Sequence, residues 1–325
     1  MEAVQGEEFT LVARKPHFGL PTACPTCLPA YIYLKFARFP FQLAFNSIYP
    51  DSDQIPYIEA GTYVAYNNEN GGVIDRMKQD GILDLDTELQ SLPEWISMKA
   101  VVTSWLDEAL MYELWIGCDG TSARKIYYSD LSWPIGKILF LKQTYILKQR
   151  LGITKENAEQ REEQIYHRAK VAYGALSTRL GEQNFLFEDR PSSLDASFLS
   201  HVLFILQALP ETSVLRGKLL EHSNLVRYSE RLKMDFLEAG SSSSSVPQAH
   251  SVPSPSSRKG ASNWSSKPKS KPKREKTEEE KTFKRRAKYF LAAQLLAVLL
   301  FLSVMGGNDF GEAEFENDDD DIAYD

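Results

Sequence analysis

The pattern of apolar and polar residues suggests alternating strands and helices through roughly the first eighty residues, and helical spacing alone from about Ser91. Phe9-Thr10-Leu11-Val12-Ala13 predicts a short strand, and Phe41-Gln42-Leu43-Ala44-Phe45 predicts a second. Between them, after a turn rich in Pro and Gly, Leu28 to Ala37 predicts a helix. Ile55-Pro56-Tyr57-Ile58 and Tyr63-Val64-Ala65-Tyr66 predict a hairpin that turns across Glu59 to Thr62. Further on, Ser91 as a cap and Pro93 in the first turn open a helix. Its apolar face is Trp95, Met98, Val102, Trp105, Ala109 and Tyr112. A second amphipathic helix carries Ile165, Ala169, Ala172, Leu176 and Leu180 and stops at Gly181. The third opens with Ser192-Ser193-Leu194-Asp195, a capping box in which Asp195 replaces the usual Glu as partner of Ser192. It continues from Ala196 to Leu209 with no polar face, so it belongs at a domain's centre. Ser197, Ser200, His201 and Gln207 argue against reading it as a membrane span.

One run is apolar without interruption. Tyr289 to Met305 has Gln294 as its only strongly polar side chain. At about 1.5 Å per helical residue it reaches about 26 Å, near the lower end of what crosses a hydrocarbon core. It reads as a transmembrane anchor at 289–305. Charge sharpens this picture. The 325 residues carry a net charge of −7, distributed unevenly. From Arg258 to Lys288 thirteen Lys or Arg face four Glu, whereas beyond Met305 there are nine acidic side chains and no basic one. Positive-inside bias therefore places the bulk of the chain in the cytosol and the tail across the membrane. Met1 to Glu8 is acidic and offers neither a secretory nor a mitochondrial leader pattern, so targeting is expected from the anchor. A short span with strong basic flanks suits a thin membrane, which favours the mitochondrial outer membrane over endoplasmic reticulum or peroxisome.

Composition divides the rest. Residues 1–238 are globular in composition. Residues 239–288, with the serine run Ser241 to Ser245 and alternating Lys and Pro from Lys267 to Lys273, cannot bury enough apolar area to offset chain entropy. A flexible tether spanning about 35 Å is expected there, with its lysines near anionic headgroups. The strand–helix–strand–hairpin order over 1–82 is that of a thioredoxin-like domain. Pro56 stands where that fold carries a cis-proline. Residues 83–238 are expected to be all-helical, and 306–325 form an acidic tail.

A thioredoxin-like half followed by helices whose buried central member begins Ser-x-x-Asp resembles the glutathione-transferase fold, an α/β domain joined to an all-α one. With the C-terminal anchor, the chain resembles the metaxin family, and within it the plant members. The likeness rests on Phe39-Pro40-Phe41-Gln42-Leu43 through Asp53-Gln54-Ile55-Pro56-Tyr57-Ile58, on Phe185-Leu186-Phe187 through Pro191 to Ala196, and on the span. It implies a non-enzymatic subunit on the cytosolic face of the mitochondrial outer membrane. Such a subunit serves protein import and the sorting and assembly of β-barrel proteins. Its implied partners are the β-barrel insertase, other import subunits, β-barrel precursors and the lipid bilayer, and no cofactor is implied. Animal members of the family need not carry the Cys-x-x-Cys, and an acidic tail after the span is not a general feature of tail anchors.

Cys24-Pro25-Thr26-Cys27 lies between the first strand and first helix, where thioredoxin-like enzymes place a redox dithiol. A helix N-terminus favours thiolate, and a two-residue spacer lets the second thiol resolve a mixed disulfide. The competing expectation is a structural pair in a fold without that chemistry. Cys118 and the scattered histidines (His17, His167, His201, His222, His250) give no second ligand pair for zinc. Three cysteines make no disulfide framework. A glutathione transferase would place a Ser after the fourth strand, where this chain reads Tyr66-Asn67-Asn68. Thr22 and Thr26 are its only candidate hydroxyls near the first strand. An anchored dithiol oxidoreductase or glutathione transferase using Cys24 and Cys27 is thus the alternative function. His201 reads as a satisfied core residue, and Gly71-Gly72 as a turn or helix cap. The basic tether has one aromatic, Trp264, and adjoins a membrane, which argues against nucleic acid. Asp318 to Asp321 solubilise the tail or meet basic surfaces across the membrane.

Overall fold

The computed structural model describes residues 8–46, 53–69, 71–132, 134–187, 189–238, 289–290 and 294–296. The chain divides into two units, Met1–Ala249 and His250–Asp325. In the second, the described residues 289–290 and 294–296 are helical. The span expected at Tyr289–Met305 otherwise lies outside the described residues, as do the tether and the acidic tail. Among the described residues no helix is long and apolar enough to cross a membrane.

The first unit begins with β1 (Thr10–Ala13), α1 (Cys27–Phe36), β2 (Gln42–Phe45), β3 (Tyr57–Ala60), β4 (Tyr63–Tyr66) and α2 (Gly72–Gln79). The strands form one sheet in the order β2-β1-β3-β4. β1 runs parallel to β2, with Leu11 opposite Leu43, and antiparallel to β3, with Leu11 opposite Ile58. Ala60 pairs with Tyr63, so the β3–β4 turn is only Gly61-Thr62, and Glu59 and Ala60 belong to the strand rather than the turn. Gly61 has φ 55°, the positive value a two-residue hairpin needs. The Ile55–Pro56 peptide bond is cis.

Helices follow: α3 (Pro93–Ala100), α4 (Asp107–Tyr112), α5 (Thr121–Tyr127), α6 (Ile135–Arg150), α7 (Ala158–Leu180), α8 (Ser193–Ala208), α9 (Val214–Leu220) and α10 (Ser223–Leu232). The uniform helix expected from Ser91 is interrupted by π-helical stretches at Val101–Leu106 and Glu113–Gly117, and a third such stretch, Lys233–Glu238, follows α10. Thr103 and Ser104 donate their hydroxyls to carbonyls four residues back, a competition that loosens the ladder there. Ser91 is not the cap. Leu92 holds that position, and the Ser91 hydroxyl donates to the Glu88 carbonyl instead. α8 begins at Ser193 rather than Ala196, because the capping box sits at its first turn.

α1 joins the two halves. Its Ala30 and Leu34 pack with Leu11 and Ile58 of the sheet and Val73 and Met77 of α2. Its Leu28, Ile32, Tyr33 and Phe36 enter the larger cluster with Phe198, Leu199 and Val202 of α8. A helix buried on both sides has no polar face to show, which is why α1 and α8 both read as uniformly apolar.

Candidate functional site

The site grows from the end of β1. Arg14 follows the strand and is buried, and the loop beyond it turns through Cys24-Pro25-Thr26 into α1. The amides of Cys27 and Leu28 donate to the Cys24 carbonyl at 3.1 and 3.0 Å, forming the turn that starts the helix. This brings the two cysteines together in a small cluster with Ala13 and Ile55, against which Tyr57 and Tyr127 pack. Cys24 is 1% exposed and Cys27 0%. Both sulfurs are sealed from solvent.

The Cys24 sulfur lies 3.1 Å from the Thr26 hydroxyl and 3.5 Å from the hydroxyl of Tyr127, which comes from α5 in the helical half. The Arg14 guanidinium stands 4.8 Å over the Tyr127 ring. Burial pushes the Cys24 thiol up, but hydrogen bonding from Cys27, the Arg14 charge and the two hydroxyls outweigh it and hold it well below the ordinary thiol range. Burial and the neighbouring Cys24 sulfur push Cys27 well up. Of the two, Cys24 is the one whose anionic form the surroundings favour, and Cys27 the one whose anionic form they disfavour. Burial would lower the Arg14 value, yet the charges of Cys24, Tyr127 and Cys27 raise it.

Above this turn a cleft of about 610 Å³ opens between the halves. Pro25, Thr26, Pro56, Asn67 and Gly71 form one wall, and Asp107, Met111, Arg150, Ser197 and His201 the other. Thr26 reaches the cleft but keeps its hydroxyl on Cys24, while Thr22 is fully buried away from it. Asn67 is tied down by donating its amide side chain to the Asp53 carbonyl at 3.2 Å. Asp107 is reached by water yet walled by protein, and lost solvation pushes its carboxyl up to about 7 against the pull of Arg150. His201 is 2% exposed, with Nε2 2.8 Å from the Tyr173 hydroxyl, and burial lowers it to about 3. It is a neutral ring at the cleft floor. Cys118 lies apart and donates to Glu113 at 3.2 Å; burial and that carboxylate push it up to about 12. Among the described residues no group of three His, Cys, Asp or Glu could hold a metal ion.

Two polar networks hold the start of α8, and the second ties it to the sheet half. Ser192 accepts from the Asp195 amide, and Asp195 Oδ2 accepts from the Ser192 amide at 2.9 Å. The other oxygen of Asp195 accepts from the Leu186 amide at 2.8 Å and from the Tyr228 hydroxyl at 2.6 Å. Burial still pushes the Asp195 carboxyl up, against these donors. The second network was not visible in the spacing of the sequence. Asp86, fully buried, accepts from the Ser193 amide at 2.8 Å and pairs with Lys78 of α2 at 2.5 Å. Lys78 also donates to the Ser193 hydroxyl at 3.1 Å. The N-terminus of α8 is thereby clamped to the sheet half by a buried carboxylate and a buried ammonium. Asp84-Leu85-Asp86 between a helix and a cap was the one available signal.

Comparison with known proteins accords with this architecture. Residues 25–121 match the profile described as glutathione S-transferase N-terminal domain, and residues 169–232 that of the glutathione S-transferase C-terminal domain. The glutathione transferase GSTFuA2 from Phanerochaete chrysosporium aligns with 70% of this chain and 98% of its own at 12% identity, with a TM-score of 0.49. A protein of Arabidopsis thaliana, "Mitochondrial outer membrane import complex protein METAXIN", is 69% identical over 96% of this chain and 97% of its own length. Metaxin-1 of Mus musculus is 27% identical over 65% of this chain and 69% of its own. The fold is thus glutathione-transferase-like in both halves. Within that class, the chain belongs to the metaxin family.

Proposed function

We propose that the chain is a non-catalytic subunit of protein import at the mitochondrial outer membrane. The observation that carries this is 69% identity, over nearly the full length, to a protein named for that import complex. The two-domain body (residues 1–82 and 83–238) sits on the cytosolic side and works by contact. Residues 239–288 tether it, Tyr289–Met305 anchors it, and residues 306–325 reach the intermembrane space, in line with the basic flank at Lys284 to Lys288. Its task is the sorting and assembly of β-barrel proteins. Its partners are the β-barrel insertase, other import subunits and β-barrel precursors, held near by the anchor's effect on local concentration.

The cysteine geometry supports contact over catalysis. An attacking thiolate needs a route to its substrate, and both sulfurs lie beneath Tyr127 and Tyr57. The second reading, an anchored dithiol oxidoreductase or glutathione transferase, has the lowered Cys24 thiol in its favour. Deleting residues 284–325 tests the anchor: the truncated chain is expected in the cytosolic fraction. A truncated chain that still fractionated with mitochondria and still associated with the insertase would overturn that part of the account.

A further inference from the structure

Helix α6 is joined to the body by few side chains. Of its sixteen residues only Phe140 and Leu147 are buried. The Phe140 ring occupies space that Gly120 leaves open, since a Cβ there would overlap it. The Arg124 guanidinium lies 4.4 Å over the same ring. The other side of α6 faces water and carries large apolar side chains among its polar ones: Ile135, Leu141, Tyr145 and Ile146 are 52, 56, 59 and 44% exposed. A helix on a protein surface ordinarily turns polar residues outward, so four large apolar side chains exposed on one helix call for a partner. Interleaved with it are Lys137, Lys142, Lys148 and Arg150, all exposed, and the helix has no acidic residue. Lys137, Lys142 and Lys148 have no ion-pair partner among the described residues.

We propose that α6 lies on an anionic membrane surface, its outward apolar side at the headgroup–acyl boundary and its lysines on lipid phosphates. Lysine stems can lie along the apolar side chains while their ammonium groups reach headgroup phosphates. Charge selects this occupant. Two copies of α6 packed face to face would oppose the same lysines with no carboxylate on either helix to pair them. An acidic protein surface would satisfy the lysines, but a bilayer is already within the reach of the tether if residues 289–305 anchor the chain. That nearness rests on the proposed function; the surface chemistry of α6 does not. At about 1.5 Å per residue, α6 would cover about 24 Å of membrane surface. Lying flat, it would hold the interdomain cleft, whose wall includes Leu147 and Arg150, at a fixed height above the bilayer.

The test uses the full chain carrying Cys118→Ser, with Gln149→Cys as the site of an environment-sensitive fluorophore. Gln149 is exposed on α6 and is none of the apolar or basic residues invoked. The chain is reconstituted into phosphatidylcholine vesicles, with or without cardiolipin, that contain nitroxide-labelled lipid. In cardiolipin vesicles the emission is expected to shift to the blue and to be quenched, and in phosphatidylcholine alone it is not. Lys142→Gln with Lys148→Gln is expected to lower the docked-to-undocked ratio about thirtyfold, the change implied by about 1 kcal/mol for each basic residue at such a surface. A label that stays in water while the chain floats with cardiolipin vesicles overturns the proposal. So does equal quenching without anionic lipid, or a photocrosslink from Leu141 to a second copy or another protein in place of lipid. If the chain does not float with phosphatidylcholine vesicles, the anchor reading fails separately. Salt-sensitive binding to cardiolipin vesicles is then still expected of α6, and its absence refutes this proposal alone.

Discussion

Cys24 keeps its sulfur beside the Thr26 and Tyr127 hydroxyls while Arg14 supplies a positive charge, and together these lower its thiol against the effect of burial. The same features that would activate a nucleophile here stabilise the junction between the halves, because Tyr127 belongs to the helical domain and Arg14 to the sheet. Electrostatics alone therefore does not identify a catalytic cysteine; access decides. A similar distinction applies to His201. Burial depresses it to about 3 from 6.5, and its partner Tyr173 is itself buried. Its value in the fold lies below that of the unfolded chain, so the neutral ring contributes stability above pH 6.5 that is lost as pH falls toward 3. Each pH unit in that window corresponds to about 1.4 kcal/mol. In urea titrations at pH 6.5 and 5.0, the wild-type chain is expected to lose more stability than His201→Gln by about 2 kcal/mol. Equal losses would mean that His201 does not titrate on unfolding.

At the scale of elements, the start of α8 bears the heaviest structural duty. Asp195 accepts from Ser192, Leu186 and Tyr228, so Asp195→Ala strands two buried donors besides removing the cap. It is expected to cost about 3 kcal/mol or more, against about 1–2 for Ser192→Ala, read from denaturation midpoints. Similar costs for the two would show that the bonds to Leu186 and Tyr228 contribute little. The capping box was legible because its chemistry is local, confined to four consecutive residues. The strands, α1, the α7 stripe ending at Gly181 and α8 were legible for the same reason: period and punctuation lie in adjacent residues. The Lys78–Asp86–Ser193 clamp was not, since its members come from three places in the chain and nothing in their spacing announces a meeting. α2, α5, α6, α9 and α10 also escaped notice. α5 and α9 are seven residues each, too short to show a period, and α6 has apolar residues on both its buried and exposed sides. In the cysteine site, the motif and its place before α1 were visible. Arg14 and Tyr127 were not, because β1 and α5 meet it only through tertiary packing.

The whole body is held together by α1 and α8, with a small sheet core on one side and a large helical core on the other. Such a body presents broad rigid surfaces, a cleft of about 610 Å³ and the apolar side of α6, all suited to holding other molecules in place. Its kinship with metaxins and the sealed dithiol are the two grounds for the proposal that the transferase-like form works by contact. The clearest test is rescue of β-barrel protein assembly in mitochondria that lack this chain. Assembly of a labelled β-barrel precursor is followed after supplying the full-length chain with Cys24→Ser and Cys27→Ser. The double variant is expected to restore assembly to the level of the unaltered chain, provided it is present in equal amount and folded by circular dichroism. Folded double variant that reaches the outer membrane but leaves assembly unrestored would contradict the account and make the dithiol the working part of the molecule.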